Sequence, residues 1–263
     1  MSGRDGLDLD ALLAAAVTAA HAGGEIVRAH FGKPPDVREK APGDWVTAAD
    51  TASEDAVRAV LERETGLAVF GEEAGGTRAA TGWLVDPLDG TANFVHGFDA
   101  VGVSVGLVAD GEPVVGVVHA PLLARTYAAR KGGGAYRDER RMHVSRRSPE
   151  QAIVATGFPF RRKELLPRYQ PALDAALHRF EDLRRVGGAS LDLCWTAEGV
   201  FDGYFELRLG PWDVAAGALI VREAGGVVTD WSGDEAAWLD SGNILAGPPA
   251  VHAVLAEIAS TGS

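Results

Sequence analysis

The chain has almost no cysteine: Cys194 is the single one among 263 residues. No internal disulfide can form, which fits a reducing, cytoplasmic setting. Long apolar runs are missing too. No window approaches the roughly 18 apolar residues that a membrane-spanning helix needs. Residues 1–10 carry three aspartates and no apolar stretch, so they do not read as a secretory leader. Positive charge is scarce: 25 Lys and Arg face 37 Asp and Glu, a formal net charge of −12. The densest basic stretches are Arg161-Arg162-Lys163 and residues 137–147. Such a balance disfavours nucleic acid as a partner. It also leaves a phosphorylated ligand in need of a local cation. No repeat, low-complexity tract or Pro/Ser-rich linker divides the chain. The expectation is a cytoplasmic globular protein that partners neither membrane nor nucleic acid. Its length suits one large domain or two packed halves.

Apolar spacing outlines those halves. Leu12, Leu13, Ala16, Ala20, Ile26 and Val27 fall on one side of a helix over 9–31, which Gly32-Lys33-Pro34-Pro35 stops. Asp50 or Thr51 is the expected cap of a second helix to about Glu64, with Gly66 behind it. Residues 67–70 predict a short strand running into Gly71-Glu72-Glu73. Residues 101–108, 113–119 and 126–129 predict consecutive strands, with Asp110-Gly111 as a hairpin turn. Residues 1–145 therefore read as an α+β subdomain with an antiparallel sheet. After about Val144, strands (153–156, 183–186, 201–206, 227–230) alternate with helices (164–180, 189–198, 212–224), which argues α/β for 146–263. Arg146-Arg147-Ser148-Pro149 marks the join of two subdomains sharing one core.

The most informative segment is Trp83-Leu84-Val85-Asp86-Pro87-Leu88-Asp89-Gly90-Thr91-Ala92-Asn93-Phe94. Trp-Leu-Val reads as the end of a buried strand. Pro87 is expected to stop its pairing and force a turn. Asp86 and Asp89 then point at one spot, with the Leu88 carbonyl free and Gly90-Thr91 opening a helix. Hard oxygen ligands beside a helix start suit Mg²⁺ and a phosphate together. Glu72 and Glu73 lie past another strand end, Asp213 opens a helix after Gly210-Pro211-Trp212, and Asp44 and Thr47 lie in a Pro/Gly-flanked loop. Carboxylates from separate strand ends can hold two Mg²⁺ ions about 3.5–4 Å apart. Taken singly these acids have plain readings. Asp-Pro and Asp-Gly are common turn dipeptides, and Asp213 is also a good helix-start residue. Their combination favours a metal-dependent phosphate enzyme.

The order and separation of these motifs resemble the inositol monophosphatase family. Agreement extends to Gly43–Asp50, Thr156-Gly157-Phe158-Pro159-Phe160, Gly187-Gly188-Ala189, Trp212–Gly217 and Glu223-Ala224-Gly225-Gly226, so it runs from about residue 9 to 257. The resemblance implies a layered α/β/α/β/α sugar-phosphatase fold working as a homodimer, with two or three Mg²⁺ per subunit. Glu72, Asp86 and the Leu88 carbonyl would bind the first ion. Asp86, Asp89 and Asp213 would bind the second, and Glu72 would assist a weaker third. Thr91 would orient the attacking water, with Asp44 as its hydrogen-bond partner. The backbone N–H groups of Gly90 and Thr91 would hold the phosphate. The reaction implied is in-line attack of metal-activated water on a phosphate monoester, with lithium as an inhibitor.

For the substrate side the resemblance places Gly187, Ala189 and Glu206 around a sugar pocket, with Asp89 and Asp213 at its phosphate end. A carboxylate at Glu206 suits a neutral polyol and repels a second phosphate. Myo-inositol monophosphate is therefore the expected substrate, with histidinol phosphate or another sugar phosphate such as fructose bisphosphate as the alternative. Ala74-Gly75-Gly76 after Glu73 and His119 in place of a common Tyr depart from the familiar pattern. Other conspicuous features have plain readings. Lys131-Gly132-Gly133-Gly134-Ala135 lacks a Gly-Lys-Ser/Thr ending and reads as a hairpin turn. His119, Trp83, Trp212 and Cys194 read as core or strand-end residues.

Overall fold

The computed structural model describes residues 6–33, 36–41, 44–76 and 78–261. Capping chemistry decides where the first helices begin. Asp8 accepts a hydrogen bond from the Ala11 amide at 3.1 Å and opens α1 (Leu9–His30). A small antiparallel hairpin, β1 (Arg38–Ala41) and β2 (Asp44–Val46), leads to α2 (Ala48–Thr65). Neither expected cap starts α2. Thr47 is the N-cap, and Asp50 sits inside the first turn. Asp50 Oδ2 accepts from both the Thr47 amide and hydroxyl at 2.7 Å, the reciprocal half of a capping box.

A seven-stranded sheet follows, in the order β3-β4-β5-β6-β7-β8-β9. Its strands are β3 (Val69–Gly71), β4 (Thr81–Asp89), β5 (Gly102–Ala109), β6 (Glu112–Ala120), β7 (Arg125–Arg130), β8 (Gly134–Arg137) and β9 (Arg140–Arg141), with the one-and-a-half-turn α3 (Thr91–His96) after β4. β3 runs parallel to β4 and the other pairs are antiparallel. Asp110 and Gly111 both have positive φ at the β5–β6 turn, the geometry that suits a two-residue hairpin. Pro87 does not end the pairing of β4. The ladder with β5 breaks register after Asp86↔Ser104 and resumes at Asp89↔Gly102. The strand thus absorbs a proline by bulging, which puts both aspartates on a locally distorted stretch.

The glycines at 132–134 form the β7–β8 turn, where the amides of Gly132 and Gly134 both donate to the Glu223 carboxylate at 2.8 Å. The anion that this loop cradles is therefore the protein's own.

The second sheet has five strands in the order β11-β10-β12-β14-β13. They are β10 (Ile153–Thr156), β11 (Asp182–Arg184), β12 (Gly203–Glu206), β13 (Val227–Thr229) and β14 (Ile244–Gly247). Between them run α4 (Leu166–Arg179), α5 (Ala189–Glu198), α6 (Pro211–Glu223) and the short α7 (Trp238–Ser241), and α8 (Pro249–Ser260) follows β14. β10, β11 and β12 are parallel, as strand–helix alternation predicts, whereas β14 is antiparallel to both β12 and β13. The sheet is therefore mixed.

Five layers result. α1 and α2 cover one face of the large sheet, α5 and α6 fill the space between the sheets, and α4 and α8 cover the far face of the small sheet. β5 is buried along its whole length and β6 from Pro113 onward, because helices press on both faces. Among the described residues, no helix is long and apolar enough to cross a membrane.

Two glycines set the height of α6 over the large sheet. Gly106 and Gly116 face each other across β5 and β6. A Cβ on Gly116 would stand 2.7 Å from the Ala216 carbonyl oxygen, and one on Gly106 2.9 Å from the Ala215 Cβ. Small residues on both surfaces let the helix backbone lie against the strands, which fixes where the N-terminus of α6 meets β4. Gly116→Ala should destabilise the protein by about 1–3 kcal/mol through overpacking, lowering Tm by about 2–4 °C per kcal/mol. Thermal denaturation checks this; an unchanged Tm would show that α6 can rise off the sheet freely.

Candidate active site

Three chain segments that are remote in sequence meet at the end of β4. Asp86 lies on the bulged end of β4 and is 2% exposed. Glu72 follows β3, and its amide donates to the Val85 carbonyl at 3.1 Å, holding its turn beside β4. Asp213 stands in the first turn of α6 and accepts the Gly210 amide at 2.7 Å. It thus caps its helix and serves the cluster at once. One carboxylate oxygen each from Glu72, Asp86 and Asp213 lie within 4.8 Å of one another. Asp89 is beside this trio but turned partly away from it: Oδ2 accepts the Ser190 amide at 2.7 Å and the Ser190 hydroxyl at 2.5 Å, at the start of α5.

The electrostatics of the cluster are unfavourable without a counter-charge. Removal from water is the first cause of a raised pKa at all four acids. Asp86 is pushed well up, further by Glu72, Asp89 and Asp213. Asp213 is pushed well up by burial, Glu72 and Asp89. Glu72 rises to about 7, with Lys40 opposing the shift and Glu73 and Asp50 adding to it. Lys40, on β1, supplies the neighbouring positive charge, with Nζ 2.5 Å from Glu73 and 3.4 Å from Glu72. Buried, mutually repelling hard oxygens are the donor chemistry of a divalent cation such as Mg²⁺, so the residues present fit the metal. The Leu88 carbonyl accepts from the Thr91 hydroxyl at 3.1 Å and keeps a second lone pair.

Thr91 stands at the start of α3 after Gly90, which has left-handed φ and ψ. Its hydroxyl lies 3.0 Å from Asp50 Oδ1. Asp50 is thus a partner of Thr91; Asp44, expected in that role, lies on β2 with its side chain outside the described residues. Asp50 is 1% exposed, and burial raises its pKa against the hydrogen bonds from Thr47 and Thr91. Sequence reasoning treated Asp50 as a helix cap and so missed it. The Thr47-x-x-Asp50 spacing of a capping box was the available signal, because the box leaves the second carboxylate oxygen free to point at Thr91.

The predicted substrate-side residues gather around the start of α5. The Asn93 amide donates to the carbonyls of Ala100 at 2.9 Å and Val186 at 3.1 Å, tying α3 to the chain just before Gly187. A Cβ on Gly188 would stand 3.3 Å from Asp89 Oδ2, so Gly187, Gly188 and Ala189 run past that aspartate. Glu206 ends β12 and accepts the Tyr204 hydroxyl. Its carboxylate presses on Gly157: a Cβ there would be 1.9 Å from Oε1. Burial pushes Glu206 up to about 7, so it is a mixture of acid and carboxylate near neutrality rather than a fixed anion.

Ser190 was not read as a site residue. A serine after Gly-Gly-Ala carries no distinctive pattern, and only the fold brings it to Asp89. The residues given plain readings have packing surroundings. His119 is 7% exposed and stacks on His21 with ring centroids 4.1 Å apart, and burial lowers its pKa to about 4. Trp83 is fully buried, Trp212 packs on Phe70, and Cys194 is buried with a raised thiol pKa.

A pH dependence of stability follows. Glu72 titrates at about 7 in the folded chain against an ordinary 4.5. The folded state holds that proton more tightly, so the contribution is full below about pH 4.5 and is lost as pH rises to about 7. Asp86 and Asp213 act in the same direction. Metal-free protein should melt lower at pH 8 than at pH 5.5, and Mg²⁺ should raise Tm far more at pH 8. Equal Mg²⁺ effects at both values would contradict this electrostatic account.

Known proteins place the arrangement. The family model described as the inositol monophosphatase family matches residues 8–262. A relative from Aquifex aeolicus named fructose-1,6-bisphosphatase/inositol-1-monophosphatase is 38% identical over 258 residues, 96% of each chain. A relative from Pasteurella multocida named Nus factor SuhB is 36% identical over 250 residues, 92% of this chain and 93% of its own. The crystal structure of extragenic suppressor protein suhB from Bartonella henselae superposes with a TM-score of 0.90 at 34% identity, covering 96% of this chain and all of that one. With a match across nearly the whole chain, the same layered fold and a cluster of acids at the end of β4, the protein belongs to the inositol monophosphatase family.

Proposed function

We propose that this phosphoric monoester hydrolase converts myo-inositol monophosphate to inositol and phosphate with Mg²⁺. The observation that carries the reading is the convergence of Glu72, Asp86 and Asp213 within 4.8 Å, next to the Thr91–Asp50 pair. Divalent ions held by Glu72, Asp86, Asp89, Asp213 and the Leu88 carbonyl would polarise the phosphoryl group and lower the pKa of water. The remaining work belongs to the chain's own groups. Asp50 and the Leu88 carbonyl are acceptors within reach of the single Thr91 O–H, and its donation to Asp50 leaves the Thr91 oxygen to accept a hydrogen bond from the attacking water and fix its direction. Amides of Gly90 and Thr91 face the phosphate. Ser190 keeps Asp89 in one rotamer. Glu206, steadied by Tyr204, accepts hydrogen bonds from substrate hydroxyls.

The polyol preference rests on Glu206. Above its pKa of about 7 it repels a second anionic group, which favours a monophosphate over a bisphosphate. The Aquifex relative carries both activities in its name, so fructose 1,6-bisphosphate is the competitor to measure. The name Nus factor carried by several relatives does not refer to phosphate chemistry. The intact carboxylate set favours hydrolysis for this chain. The family resemblance adds the expectation of a homodimer inhibited by lithium.

Two measurements test the reading. Phosphate release from inositol 1-phosphate, histidinol phosphate and fructose 1,6-bisphosphate should depend on Mg²⁺ and be fastest for the first. Preference for another substrate discards the Glu206 argument, and no release from any discards the enzyme reading. Thr91→Ala should lower kcat by about 10²-fold through loss of water positioning, with Tm little changed. Near-normal turnover would remove Thr91 from the mechanism.

A further inference from the structure

Glu72 sits on a five-residue turn, Gly71-Glu72-Glu73-Ala74-Gly75, that has little regular structure of its own. One antiparallel bridge between Gly71 and Gly75 closes it. Beneath this turn lies a second carboxylate. Glu54, on α2, is 1% exposed and is not one of the three clustered acids. Oε2 accepts the Glu73 amide at 2.8 Å and Oε1 the Ala74 amide at 3.1 Å. The turn is seated on this carboxylate: a Cβ on Gly71 would come 2.2 Å from Oε1.

Arg58, one turn further along α2, completes the arrangement. Its guanidinium donates to Glu54 Oε1 at 2.9 Å, to the Val69 carbonyl at 2.8 Å and to the Gly75 carbonyl at 3.5 Å. The pair therefore grips the turn at both ends: Arg58 donates to the carbonyls of Val69 on β3 and of Gly75, and Glu54 accepts the amides of Glu73 and Ala74. Charge-assisted bonds to backbone amides are short and directional, and a helix is a rigid base from which to make them.

We propose that Glu54, braced by Arg58, is a positioning residue that sets the affinity of Glu72 for the catalytic divalent cation by fixing the backbone of the 71–75 turn. The inference rests on the reading that Glu72 ligates that cation. Glu54 touches neither substrate nor reacting atoms, so its effect must pass through Glu72. Gln at position 54 keeps one acceptor oxygen but offers an NH₂ to a backbone N–H, so it cannot satisfy both amides.

The test is Mg²⁺ binding by isothermal titration in the full chain without substrate, with thermal melts in parallel. Glu54→Gln should weaken Mg²⁺ binding by about 10-fold, as changes behind a metal ligand commonly do. kcat at saturating Mg²⁺ should stay within a factor of about two. Arg58→Met, which keeps the aliphatic stem, should shift affinity in the same direction by less, and it carries the test if Glu54→Gln fails to fold. In a Glu72→Gln background the Glu54 change should have no further effect on Mg²⁺ binding, because the two act as one unit. Wild-type affinity in folded Glu54→Gln or Arg58→Met, or an undiminished effect in the Glu72→Gln background, overturns the proposal. A wild-type chain that binds Mg²⁺ but releases no phosphate contradicts the reaction and leaves this clamp standing.

Discussion

Like charges held together out of water are the constraint on which the rest of this structure depends. Glu72, Asp86 and Asp213 come from three segments, and each would lower its energy by turning away or by taking a proton. They stay because each is anchored by backbone geometry rather than by mutual attraction. Asp86 is on a buried strand, where Oδ1 accepts the Leu88 amide at 2.9 Å. Asp213 is tied into the cap of α6. Glu72 is held by β4 on one side and by the Glu54–Arg58 pair on the other. The energy of folding thus maintains a site that opposes folding locally, and a bound divalent cation would relieve the conflict.

The layers explain how three anchors can be independent and still converge. β4 belongs to the large sheet, and the Glu72 turn hangs from its parallel neighbour β3. α6 lies in the central layer, lowered onto β5 and β6 by Gly106 and Gly116. α5, beside it, presents Ser190 to Asp89. The site is therefore a junction between layers. β1 and β2, which carry Lys40, pair only with each other and join neither large sheet. The cation found beside Glu72 and Glu73 among the described residues thus reaches them from a strand pair outside both larger sheets.

Much of this was legible in the sequence because the acids sit in motifs with local meaning. An apolar run followed by Asp-Pro-Leu-Asp-Gly-Thr announces a strand end with carboxylates, and Gly-Pro-Trp-Asp announces a helix start with another. Helix and strand periodicity outlined both halves, since the buried β5 and β6 are long and rich in valine. Less visible was whatever depends on geometry at long range. The bulge at Pro87 requires knowing that β5 pairs on both sides of it. β14 and α8 were not separated from the C-terminal stretch, and the mixed order of the small sheet does not follow from alternation alone. That Asp50 reaches Thr91 was missed for the same reason. An acid in a capping box looks fully employed until the far side of its carboxylate is seen to face another segment. Glu206 was placed correctly at a strand end, yet its charge could not be read, because burial raises its pKa into the neutral range.

The central claim is that these carboxylates are a divalent-cation site in the folded protein. Crystals soaked in Mn²⁺, an anomalous scatterer that takes the same oxygen ligands as Mg²⁺, test it most directly. The account predicts anomalous density bounded by Glu72, Asp86 and Asp213, with Asp89 and the Leu88 carbonyl at its edge. Density only elsewhere, or none at Mn²⁺ levels that saturate the protein in solution, would contradict it.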